Sequence, residues 1–188
     1  FSKYPLWEAA NYGNQALEIA GGNWIGSAIF HQTPLYPYVL ALFIAVFGDT
    51  FFPVYVFQGL LGAFTSLIVS KITFKVSGSS FAGLLSGIIY ALYGMQVFYT
   101  TKLLSENLAL LLIVLTVWLV LAGRNFYLIF LAGLSYGLLL ITKSYFLLAL
   151  PAVLLLFYQK EGSSRKFFLK RALQFLMPCM LIISIVGI

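Results

Sequence analysis

Apolar residues run in long blocks along this chain, and the polar residues between them gather in a few short stretches. Blocks near 20 residues suit helices that cross a bilayer, whereas the strands of a membrane β-barrel give alternating segments of about 10. The blocks predict spans at about 52–70, 80–100, 104–123, 126–142, 144–159 and 172–188. The block from Pro34 to Phe47 is only about 14 residues long, a length typical of an interfacial or re-entrant helix, and Pro34 and Pro37 suit its first turn. Ahead of it, a short helix is expected from Ala9 to Ala20, stopped by Gly21 and Gly22, with Trp7 and Trp24 suited to the membrane interface.

The expected fold class is therefore all-α, a polytopic transmembrane helical bundle of about six spans plus one interfacial helix. Three parts are expected: 1–33 as an external loop with a short juxtamembrane helix, 34–48 as the interfacial or re-entrant helix, and 52–188 as the bundle. The first residue is Phe1 and the last apolar block runs to Ile188, so the chain reads as a piece of a longer protein with helices expected on both sides. Small residues at Gly59/Gly62/Ala63, Gly83/Gly87 and Gly133/Gly137 share helix faces, as close packing in lipid requires.

Composition supports the membrane class. The 188 residues are 62% hydrophobic and 9% charged, with a mean hydropathy of +1.00, where a soluble domain is about 25% charged. The net charge of +6 does not point to nucleic acid, because the basic residues sit in short loops between apolar blocks. That pattern sets membrane orientation. The single cysteine, Cys179, lies beside Pro178 in an apolar block and reads as a small buried hydrophobe.

Orientation follows from the loops. Lys71, Lys75, Arg124, Lys160, Arg165, Lys166, Lys170 and Arg171 fall on one side if the spans alternate, and Asp49, Glu106, Lys102 and Lys143 on the other. The side with the eight basic residues is expected to be cytoplasmic. The stretch 159–171 is its one substantial loop. If the 34–47 block does not cross, as its short length favours, residues 1–33 lie outside as well; if it crosses, they are cytoplasmic.

The residues with chemical potential then collect on the outer side. Glu8 is a carboxylate four positions before Tyr12 and suits a general base or a metal ligand, or an ordinary solvated acid. Glu106 opens a span at the membrane boundary, where an acid marks either a functional site or a favourable helix N-terminus capped by Ser105. Lys143 and, more weakly, Lys102 suit a phosphate at headgroup depth or lipid headgroups in general. His31, the only histidine, suits a metal, a proton or a purely structural contact, and Tyr36 and Tyr38 suit sugar rings or the interface. There is no glycine-rich phosphate loop, no Cys/His zinc cluster and no nucleophile elbow, which argues against an ATP-driven transporter or a metalloprotease.

The order of motifs resembles a known family. Trp7-Glu8-Ala9-Ala10-Asn11-Tyr12, Ala16 to Gly22, Phe30-His31-Gln32-Thr33-Pro34-Leu35-Tyr36-Pro37-Tyr38, Phe47-Gly48, Leu104-Ser105-Glu106 and Gly137 with Ile141-Thr142-Lys143 appear in sequence. Together they look like the first external loop and early helices of the dolichyl-phosphate-mannose–protein mannosyltransferase-like family, among the GT-C membrane glycosyltransferases. The resemblance implies an integral membrane enzyme of the plasma or inner membrane. It would transfer a hexosyl or pentosyl group from a polyprenyl-phosphate-sugar donor to a protein or glycolipid acceptor at its extracytoplasmic face. It further implies Glu8 as general base where the family usually has Asp, Glu106 in support, and Lys143 or Lys102 against the leaving phosphate. Tyr12, His31 and Tyr36 would join them in substrate binding. The one cofactor this reading admits is a divalent metal ion shared by Glu8 and Glu106. A non-catalytic polyprenyl-lipid binder or transporter is the alternative.

Overall fold

The computed structural model describes residues 7–23, 34–48, 50–123, 125–161 and 165–186. Among them every regular element is helical: α1 (Trp7–Ala20), α2 (Leu35–Phe47), α3 (Phe52–Ser77), α4 (Ser80–Leu92), α5 (Gly94–Thr100), α6 (Glu106–Ala122) and α7 (Phe126–Leu140). A 3₁₀ turn (Ser144–Ala149), α8 (Leu150–Glu161) and α9 (Arg165–Val186) follow. The protein is an all-α membrane helical bundle.

Local sequence accounts for the helix ends. α1 stops where Gly22 takes a φ of 99°, α2 at Gly48 with 75°, and α3 at Gly78 with 70°, all in the left-handed region that side chains avoid. α4 starts on Ser79, whose hydroxyl accepts from the Ala82 N–H at 3.3 Å.

Helix lengths differ from the apolar blocks in several places. α3 and α9 are long and apolar enough to cross a membrane alone. The expected span 80–100 is broken: Tyr93 is extended, and α4 and α5 meet at 52°. Taken together the pair forms a third crossing by length and composition. α6, at 17 residues, rises only about 25 Å at 1.5 Å per residue against a core near 30 Å, and α7 and α8 are shorter still. Finally, α9 begins at Arg165 instead of 172 and α8 runs to Glu161. Lys166, Lys170 and Arg171 therefore sit on a helix and not in a loop, leaving a far shorter connection than the 159–171 expected. Lys and Arg are good helix formers, so nothing local stops the turn before the apolar part of α9.

Two cores hold the bundle. The larger joins α6, α7, α8 and α9 through Leu112, Val120, Ile129, Tyr136, Leu139, Phe157 and Phe175. Glycine makes its closest crossing: a Cβ on Gly133 would stand 2.1 Å from the Phe175 carbonyl oxygen, and one on Gly137 3.2 Å from Cys179 Cα. α3 and α4 approach in the same manner at Gly83 and Gly87, where Ser66 Oγ also donates to the Gly87 carbonyl at 2.8 Å. The second core packs Ala9, Tyr12, Ala16 and Ile19 of α1 against Tyr36, Leu40, Ala41 and Ile44 of α2, with Val54 and Leu103. This smaller core carries the site.

Candidate functional site

Glu106 is the first residue of α6. The chain enters it from α5 through Thr101–Ser105, a stretch without regular helix whose Leu103 is buried in the second core. Ser105 does not cap the helix as expected, since its side chain makes no cap hydrogen bond. Its hydroxyl is instead hydrogen-bonded to Tyr12 Oη at 3.3 Å, and being fully buried it has no water to turn to.

Lys143 arrives from the other core. The last turn of α7 continues past Leu140, with the Lys143 N–H donating to Leu139 O at 2.8 Å and Thr142 Oγ1 to Leu138 O at 2.6 Å. Tyr136 Oη donates to Phe146 O at 2.6 Å, which fastens the 3₁₀ turn beyond. The lysine leaves this turn in extended conformation, and its Nζ donates to Glu106 Oε1 at 2.9 Å. The side chains are 16% and 22% exposed, so the pair is sheltered without being sealed. Burial alone would push the lysine toward its neutral form. The Glu106 hydrogen bond and charge overcome that and leave its pKa raised.

The wall behind the pair is aromatic and polar. Tyr12 and Tyr36 meet edge-to-face with ring centres 5.1 Å apart, and both are buried. Gln58 of α3, fully buried, donates its amide nitrogen to Tyr36 Oη and to Leu104 O at 3.4 Å. On the far side, Gln96 of α5 donates to Asn107 Oδ1 at 2.7 Å and accepts from Tyr90 Oη at 3.1 Å. Thr100 Oγ1 accepts from Asn107 at 3.5 Å and donates to Gln96 O at 2.9 Å. A cavity of about 280 Å³ lies beside Gln96, with Gly59, Gly62, Ala63 and Ala91 in its walls. Gly59 thus opens space and does not draw helices together: a Cβ there would come no nearer than 3.8 Å to Thr100. Among the described residues, Glu106 Oε2 and Gln58 Oε1 are buried acceptors with no donor.

The structure thus joins some of the sequence-derived candidates and separates others. Glu106 and Lys143 are in contact, with Tyr12 and Tyr36 behind them. Glu8, in the first turn of α1, is exposed, while Tyr12 one turn later faces inward. Among the described residues no hydrogen bond or ion pair joins Glu8 to Glu106 or Lys143. Lys102 lies over the Phe98 ring, 5.5 Å from its centre. His31 and Trp24 lie outside the described residues. Sequence reasoning missed Gln58, Gln96 and Asn107, although amide side chains inside apolar blocks are costly to bury and were the available signal.

A divalent ion shared by Glu8 and Glu106 does not fit this arrangement. The Lys143 ammonium already stands on Glu106, and Glu8 is exposed on α1. Among the described residues no group of three or more His, Cys, Asp or Glu side chains comes together.

No curated protein and no solved structure matches the chain. The family model described as dolichyl-phosphate-mannose-protein mannosyltransferase matches residues 31–187, a stretch that contains Tyr36, Lys102, Glu106 and Lys143 and leaves out Glu8 and Tyr12. With most of its length so matched, the chain belongs to the dolichyl-phosphate-mannose-protein mannosyltransferase family.

Proposed function

We propose that this GT-C-type membrane glycosyltransferase moves a sugar from a polyprenyl-phosphate-linked donor to an acceptor hydroxyl on the extracytoplasmic side. The observation that carries the reading is the sheltered Lys143–Glu106 pair at 2.9 Å. It holds an ammonium and one unsatisfied acceptor, Glu106 Oε2, in one place, next to Ser105 and the Tyr12 hydroxyl bonded to it.

The roles follow from charge and position. The Lys143 ammonium stabilises the phosphate as the bond from the anomeric carbon to the phosphate oxygen breaks and negative charge grows there. Glu106 keeps that lysine charged and directed, and its second oxygen accepts from a sugar or acceptor hydroxyl. Glu8 takes the proton of the acceptor hydroxyl as its oxygen bonds to the anomeric carbon, with inversion there and free polyprenyl phosphate as the second product. Support for Glu8 is indirect: it lies one turn of α1 from Tyr12, whose hydroxyl reaches Ser105 beside Glu106. The cavity beside Gln96, walled by glycine and alanine, suits hydrocarbon.

The test is transfer by the full-length protein in lipid, following release of polyprenyl phosphate. Glu106→Gln and Lys143→Met are each expected to lower kcat about 10²- to 10³-fold, the range for losing one stabilising group at developing charge. Full activity in Glu8→Gln would remove the base role, and donor binding without release would favour the lipid-binder alternative.

A further inference from the structure

Leu104, Ser105 and Asn107 are each held by a buried polar side chain from a different helix, and the residue they bracket is Glu106. Gln58 of α3 reaches both Tyr36 of α2 and the Leu104 carbonyl. Tyr12 of α1 is hydrogen-bonded to Ser105 at 3.3 Å. Gln96 of α5 donates to Asn107 at 2.7 Å. We propose that Gln58, with Tyr12 and Gln96, is a positioning residue: the three form a clamp that fixes the start of α6 and so aims the Glu106 carboxylate. The inference rests on the role given to Glu106 above.

Three physical points support it. The Thr101–Ser105 stretch has no regular helix, so no i→i−4 ladder holds the backbone that delivers Glu106. At membrane depth the polar groups are costly unless paired. A matched apolar pair of the same shape would stabilise as well or better, so what the polar pairs add is a defined geometry. Finally, the three anchors come from three separate helices, α1, α3 and α5, and hold three successive points of the chain, Leu104, Ser105 and Asn107. A clamp of that kind restrains rotation about α6 as well as displacement, which a single contact does not.

The clamp predicts a specific kinetic signature. In the full-length protein in lipid, Gln58→Leu keeps the bulk and removes both hydrogen bonds. Its kcat is expected to fall about 10- to 100-fold, since small misplacement of a catalytic group has that effect. Its KM for the donor should stay within about threefold, because ground-state binding is untouched. Tyr36→Phe should shift kcat in the same direction, and the double variant should be no worse than Gln58→Leu alone. A folded Gln58→Leu with normal kcat, or with raised KM and normal kcat, overturns the clamp. If Gln58→Leu fails to fold, Tyr12→Phe, which removes only the hydroxyl bonded to Ser105, decides: an unchanged kcat there overturns it too. Glu106→Gln in the same assay separates the two ideas. Full activity in Glu106→Gln sinks the functional reading itself, whereas its loss alongside a normal Gln58→Leu sinks only the clamp.

Discussion

The Lys143–Glu106 pair shows how two side chains 2.9 Å apart in space, but 37 positions apart in sequence, come to depend on one another. Removing one partner leaves the other half-buried and uncompensated, which is worse than removing both. Lys143→Met and Glu106→Gln should therefore each destabilise the protein, and the double variant should lose less than the sum of the two in a thermal-unfolding cycle. The pair also makes a pH prediction. The folded-state pKa of Lys143 is raised, so its stabilisation is present in full below the unfolded lysine pKa, near 10.4. It is lost as pH rises through the higher folded value. The stability gap between the parent and Lys143→Met is expected to be flat from about pH 7 to 9.5 and to shrink only above that range. A gap already shrinking near neutral pH would place the lysine charge elsewhere.

At the scale of helices, glycine has two different jobs that look alike in sequence. Gly133 lets α7 touch the backbone of α9, and nothing larger fits: Gly133→Ala puts a methyl 2.1 Å from a carbonyl oxygen and 2.6 Å from Pro178 Cγ. Overpacking of that kind costs about 1–3 kcal/mol, so a clear drop in the melting midpoint in detergent is expected. Gly137→Ala, at 3.1 Å from Ile182 Cβ, should lose less. Gly59→Ala meets nothing within 3.8 Å and should fold normally, because there the glycine borders the cavity. The small-residue spacing that predicted packing was right at 83/87 and 133/137, where serine or backbone atoms of a second helix come close. It could not distinguish these from Gly59, since what a glycine faces is decided by a partner far along the chain. The break between α4 and α5 was hidden too: Tyr93-Gly94 lies inside an unbroken apolar block, and the bend is spanned by a hydrogen bond from Tyr90 to Gln96, six positions apart, that the apolar pattern does not show.

For the whole molecule, the alternating helices put the α5–α6 junction and the end of α7 at one end of the bundle and the basic starts of α9 and end of α3 at the other. If the basic end is cytoplasmic, as charge bias dictates, single cysteines on a Cys179→Ala background report it. A cysteine at Thr101, which is exposed, should react from outside intact cells with an impermeant maleimide, and one at Lys75, also exposed, only after permeabilisation. The reverse pattern would move the proposed reaction to the cytoplasm.

The all-α membrane class was legible from the sequence because lipid imposes a local code: long apolar blocks, interrupted by glycine and charge, become helices where no water satisfies the backbone. Glu106 and Lys143 were legible as well, since a charge at the edge of such a block is costly enough to stand out. Their contact was not, nor was the exposure of Glu8 one turn from a buried Tyr12. Those depend on helix rotation and on which helices are neighbours, and packing of distant residues sets both. The amides Gln58, Gln96 and Asn107 belong to the same category. Each is an unremarked polar residue in its own segment, and only the fold brings them around one glutamate, where buried hydrogen bonds give them a common task.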